Sequence, residues 1–342
     1  MKLLKITVKT IGLIFLAITT FLLITYFSVE PQFEIPKTVA NDASIPHITI
    51  DSVTFHAETF GVDTAQTIIV VHGGPGQDYR YLLPLQALSD SFRIVFYDQR
   101  GTGLSPRVDI SELSMESSLS DLNSIVDYYS PNGKVHLIGH SWGAMLTSGY
   151  IAAHPDKVDK AVLAEPGFLN TETANSFMER SNGMMPPMTF KTVWRMLKAV
   201  LESTKVNAPD EEAGMDYLMA RIIGMNDIED HPMAKYFCNE DLSSDSTKFW
   251  RLGMQASQGI RKSGVNSKGE LEMDLVSGLQ NFNNEVLFLV SECNTLIGKD
   301  IQEYHMSFFP KAKMEIVKNA GHNMIGEKPN ESLAAIRQYL IQ

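Results

Sequence analysis

Residues 134–153 read KVHLIGHSWGAMLTSGYIAA: a short apolar run, then Gly139-His140-Ser141-Trp142-Gly143, then a helical pattern. A bounded apolar run of this length predicts a strand buried on both faces. Glycines on either side of the serine fit a strand-to-helix turn too tight for side chains, a turn that lifts the hydroxyl clear of the sheet. The first amides of the following helix also favour negative charge at its start. An ordinary tight turn shares the spacing but not the strand-turn-helix setting, so Ser141 is the candidate nucleophile.

Working outward, similar apolar runs recur at 67–71 (TIIVV), 93–97 (RIVFY), 158–164 (VDKAVLA) and 285–290 (EVLFLV), with a last one at 314–317 (MEIV). Helical patterns near 79–90, 117–130, 142–153 and 329–341 alternate with them, as in an α/β chain with a mostly parallel sheet. Period-two alternation in His47-Ile48-Thr49-Ile50 and Val53 to Ala57 predicts two antiparallel edge strands. From about 167 to 283 the alternation stops. This insert carries 11 of the 17 methionines and reads as helical, broken by Gly183-Met184-Met185-Pro186-Pro187. Adaptable methionines suit either a cap that closes over apolar ligands or plain helical core filler. The expected organisation is a core of 47–166 plus 284–342 with a helical cap at 167–283.

His72-Gly73-Gly74-Pro75-Gly76 also follows a buried strand directly, and its glycines permit close backbone approach to a ligand. One oxyanion donor should follow the nucleophile and the other should come from the loop after the third strand, which assigns the backbone N–H groups of Trp142 and Gly74. His72 is then a brace for the loop. The chain order that goes with this elbow, serine then acid then histidine, requires a late base. Among nine histidines, only His322 in Asn319-Ala320-Gly321-His322-Asn323 follows the last strand. His305 falls in a helical pattern, and His140 and His154 are too local to reach back over the turn.

Taken in order, His72 to Gly76, Asp98-Gln-Arg-Gly-Thr-Gly-Leu-Ser105, Gly139 to Gly143 and Gly321-His322 make the chain resemble the proline iminopeptidase (prolyl aminopeptidase) branch of the α/β hydrolases. The resemblance covers about 47–165 and 284–341. It implies the α/β-hydrolase fold, an eight-stranded sheet with helices on both faces and an inserted helical cap, and hydrolysis through an acyl-enzyme without a cofactor; separately, no Cys/His spacing suggests a metal. Asp98 and Arg100 are expected to tie loops together and not to take part in the chemistry.

The chain departs from that pattern twice. Where similar proteins carry an aspartate after the seventh strand, the sequence is Ser291-Glu292-Cys293-Asn294. A neutral amide orients an imidazole but does not stabilise an imidazolium. Glu165, directly after the run 158–164, is the preferred acid, since some hydrolases similar in fold carry theirs there. Its alternative is a hinge residue paired with a cap cation; Glu292 is the rival acid, and Asn294 would then hold the loop. The W-x-x-W-E pattern whose glutamate takes a substrate ammonium in the similar peptidases is reduced to Trp250-Arg251-Leu252-Gly253-Met254. The cap acids Glu179, Asp210, Glu211, Glu212, Glu240 and Asp241 read mostly as a solvated face.

The expected function is therefore a serine hydrolase of small esters, amides or short peptides, proline iminopeptidase-like or esterase-like. A non-catalytic ligand-binding homologue is the alternative outside enzymes. An epoxide hydrolase or dehalogenase would need an aspartate where Ser141 stands.

Residues 10–27 are uncharged and mostly apolar, preceded by Lys2, Lys5 and Lys9 and followed by Glu30 and Glu34. This predicts a membrane anchor or signal segment, and the want of an A-x-A-like site favours an uncleaved anchor. The positive flank stays in the cytoplasm, which places the catalytic part outside it, or exports it if the segment is cleaved. Residues 28–46, with three prolines and no periodicity, read as a linker. A net charge of -11 without a basic tract argues against nucleic acid, and no protein partner is evident. Cys238 and Cys293 are too few for a disulfide framework, and free thiols are the default expectation.

Overall fold

Strands His47–Ile50 (β1), Val53–Phe60 (β2), Thr67–Val71 (β3), Arg93–Tyr97 (β4), Val135–His140 (β5), Val158–Ala164 (β6), Val286–Ser291 (β7) and Ala312–Val317 (β8) build one sheet, in the order β1-β2-β4-β3-β5-β6-β7-β8. The computed structural model describes residues 2–224, 229–242 and 248–342. From β4 to β8 across the sheet all neighbours are parallel, whereas β2 runs antiparallel to both β1 and β4. Only β1 is thus an edge strand of the two expected, because β2 gives its second side to β4.

Successive side chains of a strand enter opposite layers. Ile69, Val71 and Val95 join one core cluster with Leu122, Ile125, Leu146 and Tyr150, contributed by helices Met115–Tyr129 (α2) and Trp142–Ala153 (α3). Ile68, Val70 and Ile94 join the other, closed by Leu82, Leu85, Ile336 and Tyr339. Burial on both faces explains why the central strands read as unbroken apolar runs. The segment Arg80–Asp90 is 3-10 and not α-helical. Pro84 lies inside it and lacks the N–H that an α-turn would use.

Between β6 and β7 the chain forms helices Thr171–Arg180 (α4), Phe190–Ser203 (α5), Ala213–Ile223 (α6) and Met254–Ser263 (α7). This segment is keyed to the loops at the carboxyl ends of the strands. Gly253 N–H donates to Gly76 O (2.8 Å), and the Asp78 carboxylate accepts from Trp250 N–H (2.6 Å) and Arg251 N–H (2.9 Å). Arg251 is buried and bonds Asp210 through both terminal nitrogens (2.7 and 2.6 Å) and Asp216 through Nε (2.7 Å). Asp210 therefore does not belong to a solvated face as expected, although Glu211 and Glu240 are exposed. A buried guanidinium requires paired carboxylates.

The remaining helices are Lys2–Ser28 (α1), Lys299–Met306 (α8), Met324–Glu327 (α9) and Pro329–Ile341 (α10). Residues Thr7–Ser28 of α1 are long and apolar enough to cross a membrane, or to serve as a signal sequence. The stretch after it, expected as a linker, is packed on the rest of the chain at several points. Val29, Ile35, Thr38 and Val39 are buried, Phe33 packs on the Tyr217 ring (4.6 Å between centroids), and Pro36 O accepts from Arg251 (3.0 Å). Its prolines and polar residues hide an apolar side chain every few positions, which is enough to hold an extended segment to a surface.

The two cysteines are not free. Cys238 and Cys293 are joined in a disulfide between the insert and the loop after β7, across a sequence separation of 55. No sequence pattern marks this pairing, because only the fold brings the two loops together. We expect that Cys293→Ala, or reduction, lowers unfolding stability by about 2–4 kcal/mol. Urea midpoints with and without reductant measure this, and identical midpoints would mean that the bond adds nothing to stability.

Candidate active site

Ser141 sits at the end of β5 with φ 54° and ψ -119°, a conformation that costs a non-glycine residue about 1–3 kcal/mol. It persists because the surroundings leave no alternative. A Cβ on Gly143 would collide with Val71 O, and one on Gly139 would lie 2.5 Å from Gly143 O. The start of α3 is thus pressed against the end of β3, and the serine is turned out at the junction.

The loop after β3 is held by buried polar side chains. His72 Nδ1–H donates to Gly73 O (2.9 Å), and its Nε2 accepts from Gln99 N–H (3.0 Å). Burial holds the His72 imidazole below its usual range, so it stays neutral and braces the loop. Gly73 N–H is taken by Tyr81 Oη (2.8 Å), which also bonds His140 Nδ1 (2.7 Å). His140 Nε2–H donates to His322 O (2.8 Å), a partner that can only accept, so the tautomer is determined. Desolvation brings His140 down to about 3. One neutral histidine therefore joins the glycine loop, the elbow and the histidine loop. By contrast, Gly74 N–H and Trp142 N–H meet no protein acceptor among the described residues. Gly74 has φ +129°, which only glycine tolerates there.

His322 follows β8 and is 8% exposed. Its Nδ1 lies 2.7 Å from Glu165 Oε2, and its ring stacks on Tyr236 at 4.4 Å between centroids, with 23° between planes. Its backbone N–H donates to Tyr236 O (2.8 Å). Gly321 makes this approach possible, since a Cβ there would lie 2.6 Å from Tyr236 O.

Glu165 is fully buried at the end of β6, with φ 45°. Oε1 accepts from Ser291 N–H (2.7 Å) and Ser291 Oγ (2.6 Å); Oε2 accepts from Asn294 Nδ2 (2.7 Å) as well as facing His322. Burial pushes its carboxyl up to about 7, while the bonds from Ser291 and Asn294 oppose the rise. Asn294 itself is anchored, its Oδ1 accepting from Leu296 N–H (2.9 Å) and Ile297 N–H (3.1 Å). Glu292 is exposed and accepts from Asn319 N–H (2.9 Å).

The structure thus brings Glu165 and His322 into contact and sets Ser141, Trp142 and Gly74 on the adjoining turns. Asp98 and Arg100 hold loops, Asp98 through His56 Nδ1 (2.7 Å) and Leu104 N–H (2.8 Å), Arg100 through Asp121 (2.6 and 2.9 Å). Sequence reasoning missed Tyr81, Ser291 and Tyr236. Ser291 closes an apolar run and could have been noticed as a polar residue at a strand end; Tyr236 lies in the insert and carries no local signal.

A sequence profile described as the α/β hydrolase fold matches residues 66–329, more than half of the chain. The chain is 26% identical over 285 residues to a protein named proline iminopeptidase from Heyndrickxia coagulans, covering 80% of this chain and 90% of the relative. Among solved structures, the proline iminopeptidase of Mycobacterium smegmatis superposes with a TM-score of 0.59 at 16% identity, covering 87% of this chain and 97% of that one. A thermophilic esterase from Thermogutta terrifontis gives 0.58 at 17% identity, covering 86% and 97%.

A carboxyl raised to about 7 is protonated at lower pH and then no longer accepts the Nδ1–H of His322. The rate at which a fluorophosphonate labels Ser141 is therefore expected to fall as pH drops below about 7, on the acid side only. Glu165→Gln should slow labelling by about 10²–10⁴-fold with the fold retained. A flat acid limb together with an unaltered Glu165→Gln rate would remove Glu165 from the chemistry.

Proposed function

This chain belongs to the α/β-hydrolase fold family, and from that premise we propose that it is a serine hydrolase working through an acyl-enzyme on small esters, amides or short peptides. The observation that carries this reading is the 2.7 Å contact between Glu165 Oε2 and His322 Nδ1 beside the elbow that presents Ser141. In the proposed cycle His322 takes the Ser141 proton as the hydroxyl attacks the substrate carbonyl. Glu165 keeps Nδ1 protonated and stabilises the imidazolium. The oxyanion rests on Gly74 N–H and Trp142 N–H, which meet no competing protein acceptor among the described residues. His322 then protonates the leaving group, and water, activated by the same base, releases the acyl group.

In this reading the core is 47–166 with 284–342, the segment 167–283 is the cap, and α1 anchors an extracytoplasmic enzyme. The disulfide supports that side of the membrane, since such bonds persist in oxidising compartments. As for substrate, the region of Trp250 and Arg251 places a cation, not a free carboxylate, where an ammonium partner would be sought, and Asp210 and Asp216 are already bonded to it. This favours ester or N-blocked amide substrates over a free amino terminus.

We expect the full chain to cleave short-chain nitrophenyl esters in preference to proline or alanine anilides, and Ser141→Ala to abolish turnover with folding unchanged. Turnover retained in Ser141→Ala would overturn the mechanism. Release from anilides only when the amino group is free would instead establish an aminopeptidase.

A further inference from the structure

Helix α5 is inside out. Its buried positions, Thr192, Ala199 and Glu202, recur on one face and hold it to the rest of the insert, while Phe190, Val193, Trp194, Leu197, Val200 and Leu201 line the opposite face. Phe190 is 87% exposed, Val193 48% and Val200 46%. Just before the helix, Met185 and Met188 are exposed at 57% and 63%. These two methionines are turned to the surface and not into the core. In an aqueous setting an apolar face of this breadth is unfavourable.

The same face meets α1. The Trp194 ring lies 5.7 Å from that of Phe21, and Lys205, just beyond α5, donates to Val29 O (2.7 Å) and Glu30 (3.2 Å) and sits over Tyr26. The seven residues from Phe21 to Ser28 rise about 10 Å along a helix. If Thr7–Ser28 crosses the bilayer, Trp194 lies at the depth to which interfacial helices sink, about 5–10 Å. Charge agrees. In a chain of net charge -11, α5 carries Lys191, Arg195 and Lys198, and its one acid, Glu202, is buried against Arg221 Nε (2.8 Å) and Tyr217 Oη (2.8 Å). A helix with an apolar outer face and a row of cations along one edge, continuous with a membrane span, matches the surface of a bilayer.

We propose that the outer face of α5, with the Met185–Phe190 approach, docks into the membrane beside α1, so that the cap rests in the bilayer surface. This rests on α1 being retained as a membrane span. An enzyme so placed meets acyl substrates that partition into the interface.

The full chain is reconstituted into vesicles of phosphatidylcholine with a minority of phosphatidylglycerol, with and without lipid brominated at shallow acyl positions. Wild type, Trp194→Phe and Phe190→Asp are compared, with fluorophosphonate labelling and circular dichroism as checks of folding. Trp142 is buried, and Trp250 packs on His56 and Tyr79 away from α1, whereas Trp194 packs on Phe21 of α1, so Trp194 is the one of the three tryptophans expected to report on lipid. Brominated lipid should remove about half of the Trp194 emission, the quenching should vanish in Trp194→Phe, and Phe190→Asp should reduce it about twofold. Equal quenching in wild type and Trp194→Phe, with the chain still resisting alkaline extraction, would overturn the docking and leave the anchor standing. Loss of the chain from the vesicles on alkaline extraction would overturn both.

Discussion

The site depends on one steric constraint, the contact of Gly143 with the end of β3. No side chain fits there, so α3 starts hard against Val71 and the backbone of Ser141 takes up the strain. The same contact sets the distance between the Trp142 amide and the glycine loop that follows β3. His72 and His140 then hold that loop from two sides as neutral rings. Burial keeps them so. The precision of the elbow is therefore shared between a missing Cβ and two desolvated imidazoles.

A second centre is Glu165. It receives two bonds from Ser291 and one from Asn294, faces His322, and so ties the ends of β6, β7 and β8 together. The loop after β7 supplies donors to the carboxylate that faces His322. The arrangement is chemically consistent. A buried carboxylate needs several donors, and an amide at 294 gives one to Glu165 while its oxygen caps the next turn. The disulfide at Cys293 closes the same loop onto the segment of Tyr236, whose ring and carbonyl position His322.

The insert thus serves the site through Tyr236 and Gly253 and turns a different face outward through α5. Stability of that outward face depends on what surrounds it, because apolar area is favourable only where water is excluded. The arm of residues 29–42 links the two roles, running from α1 past Tyr217 and Arg251 to Leu104.

The sequence by itself determined the α/β order of strands and helices, the elbow, the glycine loop and His322, because each rests on local pattern: apolar runs, paired glycines and position after a strand. It also left Glu165 and Glu292 as candidate partners of His322 by their places at strand ends. Only the tertiary structure shows which carboxylate contacts the imidazole, since that turns on which is buried among donors from β7 and which bonds Asn319 at the surface. The disulfide, the packed arm, the role of Arg251 and the outward face of α5 were likewise beyond local reading. Each depends on contacts between segments far apart in the chain, and no spacing within either segment encodes its partner.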